Sequence, residues 1–257
     1  MTTIALHSDL HLERQLLPKD WLTNVPDILI LAGDITRIDE SYKFLTFLEK
    51  KHKSTQIIYV TGNHEYYEIE DMLSAEKTLK EMLKPHKRIH FLQNEAIEIN
   101  GIRFLGTTGW SRMASLRKDR EIEDKYSISY AINDFRLIGY QDRIFTVDDC
   151  IELGEQQYAW LKDELKKPTA CQSTFVITHF APSLSVRNTM FPLNEICAYF
   201  HASFDDLIEE FTPDIWMFGH THANFDIHMG KTRVMSNQKG YGRECIGSYK
   251  PDWVITL

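Results

Sequence analysis

A chain of 257 residues, 43% hydrophobic and 26% charged, holds enough apolar material to bury the core of one α/β domain. Its 37 acidic residues outnumber 29 basic ones, for a formal net charge of −8, which argues against a non-specific nucleic-acid or membrane binder needing a basic face. The N-terminus shows no basic-then-apolar leader, no apolar run is long enough to span a bilayer, and Cys150, Cys171, Cys197 and Cys245 are scattered with no CxxC pair. A reduced, cytoplasmic protein without membrane partners is expected.

In chain order, short apolar runs at residues 4–6, Ile28–Ala32, 57–60, 175–177 and Ile215–Phe218 read as strands buried on both faces, as in a parallel sheet. Between them, Tyr42, Leu45 and Leu48 with Phe44 and Phe47 predict a helix ahead of 50–53. Met72, Leu73, Leu79, Met82 and Leu83 predict another, ended by Pro85. Residues 96–99 and 102–105 flank Asn100-Gly101, a strong hairpin signal. Thr146-Val-Asp-Asp149 looks like a capping box for a helix through Trp160 and Leu165, and Ser203-Phe-Asp-Asp206 looks like the start of a shorter one. A second hairpin is expected at 225–228 and Thr232–Ser236 around Gly230, with a last strand within 253–257. The segment 110–143 lacks a clear period and is read as an irregular insertion in an otherwise single domain spanning 1–257. It is either a solvated mixed-charge surface or a lid using Arg112, Arg117, Arg120 or Arg136 to grip phosphate.

The residues at the ends of the five apolar runs are more telling. The runs lead in turn to Asp9-Leu10-His11, Gly33-Asp34, Gly62-Asn63-His64-Glu65, Thr178-His179 and Gly219-His220-Thr221-His222. Carboxyl ends of strands in an α/β sheet gather along one edge, so these side chains are expected to converge although distant in sequence. Two carboxylates, several imidazoles and an amide oxygen suit Mn, Fe, Zn, Co or Ni better than thiolate-loving ions. Asp-x-His and His-x-His place two donors on the same side of an extended segment. Glycine before Asp34, Asn63 and His220 permits a tight turn and close backbone approach.

The ordered set Asp9-x-His11, Gly33-Asp34, Gly62-Asn63-His64-Glu65, His179 and Gly219-His220-x-His222 resembles the motif series of the calcineurin-like metallophosphoesterases. The resemblance implies a four-layered α/β/β/α sandwich of two mixed sheets flanked by helices, with a dinuclear metal centre. Carried over by motif, Asp9, His11, Asp34 and His222 would hold one ion, and Asp34, Asn63, His179 and His220 the other, with Asp34 bridging. His64 would be the outer-sphere catalytic histidine. Two ions of this kind, with Mn²⁺ expected first, lower the pKa of a shared water toward neutrality and so produce a nucleophile. Glu65 is expected to orient the imidazoles through hydrogen bonds.

The expected activity is hydrolysis of a phosphate mono- or diester, with a small phosphodiester or nucleotide substrate favoured. The protein-phosphatase branch resembles GDxxDRG and GNHExR, whereas this chain reads Gly33-Asp34-Ile35-Thr36-Arg37-Ile38-Asp39 and Gly62-Asn63-His64-Glu65-Tyr66-Tyr67. That departure weighs against a phosphoprotein substrate, and the acidic balance weighs against a nuclease. A non-catalytic module on this fold should have lost ligands, and this sequence keeps every motif position. His7 reads as a hydrogen-bonded strand histidine, and His52, His86, His90, His201 and His228 as surface or packing groups. Tyr66, Tyr67 and the stretch 237–242 could line the substrate mouth.

Overall fold

The computed structural model describes every residue except 243 and 245–247, so Cys245 lies outside the described residues. Two sheets make the centre. In the first, β1 (Thr3–His7), β2 (Ile28–Ala32), β3 (Gln56–Val60) and β4 (Ile89–Phe91) run parallel in that order, and β13 (Ile255–Thr256) pairs antiparallel with β1. The second has the order β11 (Asp226–Met229), β12 (Thr232–Ser236), β10 (Ile215–Phe218), β9 (Ser173–Thr178), β6 (Ile102–Thr107) and β5 (Glu95–Ile99). Its four inner strands are parallel and its two edge strands antiparallel. Both expected hairpins are present, and Asn100 (φ 53°) with Gly101 (φ 75°) makes the tight turn of the first. The expected last strand shrinks to the two residues of β13.

Alternation along each strand decides the layering. Ile4, Leu6, Ile28, Ile30, Ile58 and Val60 face a core shared with Phe104, Phe175, Ile177, Ile215 and Met217 of the other sheet. The intervening Leu29, Leu31, Ile57 and Tyr59, and on the second sheet Leu105, Val176, Trp216 and Phe218, belong to the core beneath the helices. Helices α1 (Ile38–Lys51) and α2 (Met72–Leu83) cover the first sheet, while α5 (Val147–Lys166) and α6 (Asp205–Phe211) cover the second. The result is a four-layered α/β/β/α sandwich.

Helix ends follow local chemistry. Asp71 accepts from the Ser74 N–H to cap α2, and Thr146 with Asp149 forms a reciprocal capping box on α5. The expected box at 203–206 does not form: Phe204 occupies the cap position without a side-chain bond, and Ser203 sits at φ 60° with its hydroxyl buried and unpartnered. Segment 110–143 is also more ordered than expected. It holds α3 (Glu121–Ala131), α4 (Asp134–Leu137) and a small ribbon of β7 (Gly139–Tyr140) and β8 (Arg143–Ile144). The period of α3 is illegible because Ile122, Tyr126 and Tyr130 are solvent-exposed while Ile128 is buried. Trp110, Phe135 and Ile138 anchor the segment in the core.

Candidate metal centre

The carboxyl ends of β1, β2 and β3 meet those of β9 and β10 at one rim, with the His179 Nδ1–H donating across the sheets to the Ala32 carbonyl at 2.9 Å. Five polar side chains at this rim sit on left-handed backbone: Asp9 (φ 53°), His11 (46°), Asp34 (53°), His220 (72°) and His222 (49°). Such strain costs of order 1–3 kcal/mol per residue and persists only where surrounding structure enforces it. Glycines make room for it. A Cβ on Gly62 would lie 2.2 Å from Asp34 Oδ1 and 2.7 Å from His179 Nε2, and one on Gly219 would lie 2.7 Å from Asp9 Oδ2.

All seven expected ligand residues are brought together, in two neighbouring groups. Donor atoms of Asp9, His11 and His222 lie within 4.8 Å of one another, as do those of Asp34, His179 and His220. Asp34 lies between them: its Oδ1 is 3.4 Å from His179 Nε2 and its Oδ2 is 3.8 Å from His11 Nε2. Asn63 Oδ1 is 3.2 Å from His179 Nε2.

Hydrogen bonding fixes which nitrogen of each ring carries its proton, and this tests whether cations fit. His11 Nδ1 is held by Glu13 at 3.2 Å, and His222 Nδ1 by Glu244 at 2.6 Å. Both rings therefore turn Nε2 inward, 3.2 Å from each other, with Asp9 Oδ1 3.3 Å from His222 Nε2. His179 likewise turns Nε2 toward two oxygens, and His220 Nε2 is buried with no hydrogen-bond partner. Ring nitrogens and carboxylate oxygens that converge in a buried pocket need positive charge among them, supplied either by protons on the rings or by metal ions. The residues fit metal ions.

The charged states agree. Burial would raise the Asp34 and Asp9 carboxyls, yet His179 and His64 hold the first well below the usual carboxylate range, and His222 holds the second below it. Burial would lower His179 and His222, but Asp34 lifts the first to about 9, and Asp9 with Glu244 lifts the second to about 10. His11 and His220 are pulled down by burial. A field that retains protons on two buried imidazoles is one a divalent cation can satisfy instead.

His64 stands outside both groups but against them. Its N–H donates to Asp34 Oδ1 at 2.9 Å, its Nδ1 is 3.6 Å from Glu13 Oε1, and its Nε2 meets the Tyr241 hydroxyl at 2.8 Å. Burial opposes its protonation, but Asp34 and Glu13 outweigh burial and raise its pKa.

A family model described as calcineurin-like phosphoesterase matches residues 2–224. The chain belongs to that family. It is therefore a phosphoester hydrolase. It is 29% identical, over 95% of its length and 93% of the relative's, to an uncharacterized protein of Acanthamoeba polyphaga mimivirus. Among solved structures it resembles the phosphopantetheinyl hydrolase of Mycobacterium tuberculosis, with TM-score 0.70, 19% identity, and 98% and 94% of the two chains covered. It also resembles a dimetal phosphatase from Danio rerio, with TM-score 0.51, 11% identity, and 91% and 86% covered. At such identities these two likenesses speak for the fold.

Several residues of the site carry no motif in the sequence. Glu13, two residues beyond His11, joins His11 and His64, and Glu244 backs His222 from a stretch without motif. Asp134, from segment 110–143, is buried and accepts from Asn63 Nδ2 at 3.0 Å, Tyr67 Oη at 2.7 Å and the Tyr199 hydroxyl. It fixes the Asn63 amide so that its oxygen faces His179. Burial raises the Asp134 carboxyl against these three donors. Glu65 differs from expectation. It accepts from the backbone N–H groups of Asp34, Ile35 and Gly62 and from Tyr59, so it staples the strand ends and touches no ligand imidazole.

A cavity of about 450 Å³ opens from the rim, lined at its base by Asp34, Asn63, His64, His220 and His222. Tyr67 and Tyr241 line it, as does His201, whereas Tyr66 is buried in the core. Ala131, Ile132 and Asn133 form part of one wall. Of the four arginines considered as a phosphate grip, none lines this cavity. Arg112 pairs with Glu155, Arg117 with Asp124, and Arg136 with the Tyr130 carbonyl and Asn133, while Arg120 occupies the N-cap position of α3. His7 is a buried strand histidine held by Tyr249 at 3.0 Å. No helix among the described residues is long and apolar enough to cross a membrane.

Proposed function

We propose that the chain hydrolyses a phosphate mono- or diester using two metal ions, one held by Asp9, His11, Asp34 and His222, the other by Asp34, Asn63, His179 and His220. The observation that carries this reading is the inward-facing set of imidazole Nε2 atoms around Asp9 and Asp34. Oxygen and imidazole donors without thiolate suit manganese first, with iron, zinc, nickel or cobalt also accommodated. When bound, such a pair of ions supplies an activated water near neutral pH and neutralises charge on the phosphoryl oxygens.

The protein's own residues supply the rest. Asp34 tethers the His64 backbone, and Glu13 with Tyr241 brackets the His64 ring at the cavity base, where it can hand a proton to the departing alkoxide. Glu13 and Glu244 lock the ring orientations of His11 and His222. A small phosphodiester or nucleotide fits better than nucleic acid, since Arg187 is the sole Lys or Arg among the described residues lining the cavity. Free thiols at Cys150, Cys171 and Cys197 support a cytoplasmic setting.

Hydrolysis of p-nitrophenyl phosphate and bis-p-nitrophenyl phosphate, with and without Mn²⁺, tests the proposal. Turnover should rise with Mn²⁺ and fall by roughly a hundredfold or more in His64→Ala and in Asp34→Asn, the scale of a lost acid–base group or bridging ligand. Equal turnover in both variants and wild type would sink it.

A further inference from the structure

We infer that the natural substrate is the phosphate ester of an alcohol bearing an extended, largely apolar arm, gripped at its phosphate by Arg187. This rests on the phosphoesterase reading above and adds the chemistry of what is cleaved.

The cavity is two-faced. Its base is the polar rim, and away from it the wall is built from Ile132, Phe191, Pro192, Ile196 and Phe200. At about 450 Å³ it far exceeds what a phosphoryl group needs and falls in the range of sites for drug-sized molecules. The apolar wall continues outward, where Met190, Phe191 and Leu193 are 81%, 60% and 64% exposed. Consecutive large apolar side chains left in water beside a reactive centre mark a surface used for binding. Asn133, Asn188 and Asn194 also line it, each with its side-chain oxygen already accepting from a neighbour, so the polar breaks in the wall are few.

Arg187 is half-buried in this cavity, and its guanidinium has no hydrogen-bond or ion-pair partner among the described residues. Arg14, which lies over the ring of Tyr241, is instead paired with Glu13, as Arg37 is with Asp39 and Glu68 and Arg117 with Asp124. A planar donor fork left unpaired in the same cavity as the polar rim matches phosphate oxygens. Arg187 follows the short turn Leu184–Val186, eight residues beyond His179, so the strand that delivers a ligand also delivers the grip. A nucleobase would call for aromatic rings arranged to sandwich it. Here Phe200, Tyr241 and Tyr67 are already packed on His220, His11 and His64, with centroids 5.2, 4.2 and 4.1 Å apart, and Tyr199 is held by Asp134, which leaves Phe191 as the lining ring without a ring partner among the described residues.

The test is calorimetric binding of an n-alkylphosphonate series, methyl to octyl, to Mn²⁺-loaded protein, with p-nitrophenyl ester turnover followed on the same preparations. Kd should fall by about fourfold per methylene over the first several carbons, the usual return for burying a CH₂. Phe191→Ser with Ile196→Ser, both near the surface, should flatten that dependence on length. Arg187→Ala should weaken every member by the same factor, roughly tenfold. A Kd independent of chain length, or a slope unchanged in the double variant, would overturn the inference. Turnover with a flat series would leave the hydrolase reading intact and remove this one, whereas a steep series without turnover would do the reverse.

Discussion

Replacing Asp134 by alanine should cost both stability and affinity for one metal ion. The carboxylate accepts from Asn63, Tyr67 and Tyr199, all buried, so alanine strands three donors at once. An unsatisfied buried donor costs about 1–3 kcal/mol, and because this group borders the cavity, where water can enter, the lower end applies, giving about 3 kcal/mol in total. Asparagine keeps an oxygen for Asn63 and Tyr67 and loses only the acceptor for Tyr199, so about 1 kcal/mol is expected. Once released, the Asn63 amide no longer presents its oxygen toward His179, and loss of such an outer contact weakens metal binding by about 10–100-fold. Urea titration of metal-free protein reads the first effect, and Mn²⁺ calorimetry reads the second as one of two binding events weakened by that factor. An alanine variant within about 1 kcal/mol of wild type, binding both ions normally, would refute the role assigned to this residue.

Gly62→Ala should abolish metal uptake with the far-ultraviolet spectrum unchanged, since its Cβ would fall 2.2 Å from Asp34 Oδ1; retained stoichiometry would show that the turn can relax. The protein should lose stability on mild acidification through His7, whose pKa burial lowers from 6.5 to about 3. Below pH 6.5 the unfolded chain takes up a proton that the folded one refuses, so stability complete above that pH falls by about 1.4 kcal/mol per unit toward pH 3. By pH 4.5 the loss should reach roughly 3 kcal/mol relative to a His7→Phe variant. Parallel pH profiles of the two would contradict it.

The fold and site are legible in the sequence wherever local pattern and tertiary role coincide. The β2 and β10 bounds can be read to the residue, because a strand buried on both faces is apolar throughout. The candidate ligand residues are legible because glycine and metal-competent side chains recur directly after those runs. Helix α3 is not, because its apolar residues Ile122, Tyr126 and Tyr130 face solvent beside the cavity wall rather than the core. Asp134 and Arg187 carry no local signal: the first acquires its role from partners 65 to 71 residues away, the second from a cavity assembled by several segments. Ser203 satisfies a capping pattern that the left-handed turn at that residue then precludes.

Metal content per chain, determined by mass spectrometry on protein purified without chelator, should come to two equivalents. His179→Ala and His222→Ala should each retain one, and Asp34→Asn should retain fewer than one. A single equivalent in wild type, or loss of the same ion in both histidine variants, would contradict a shared pair bridged by Asp34.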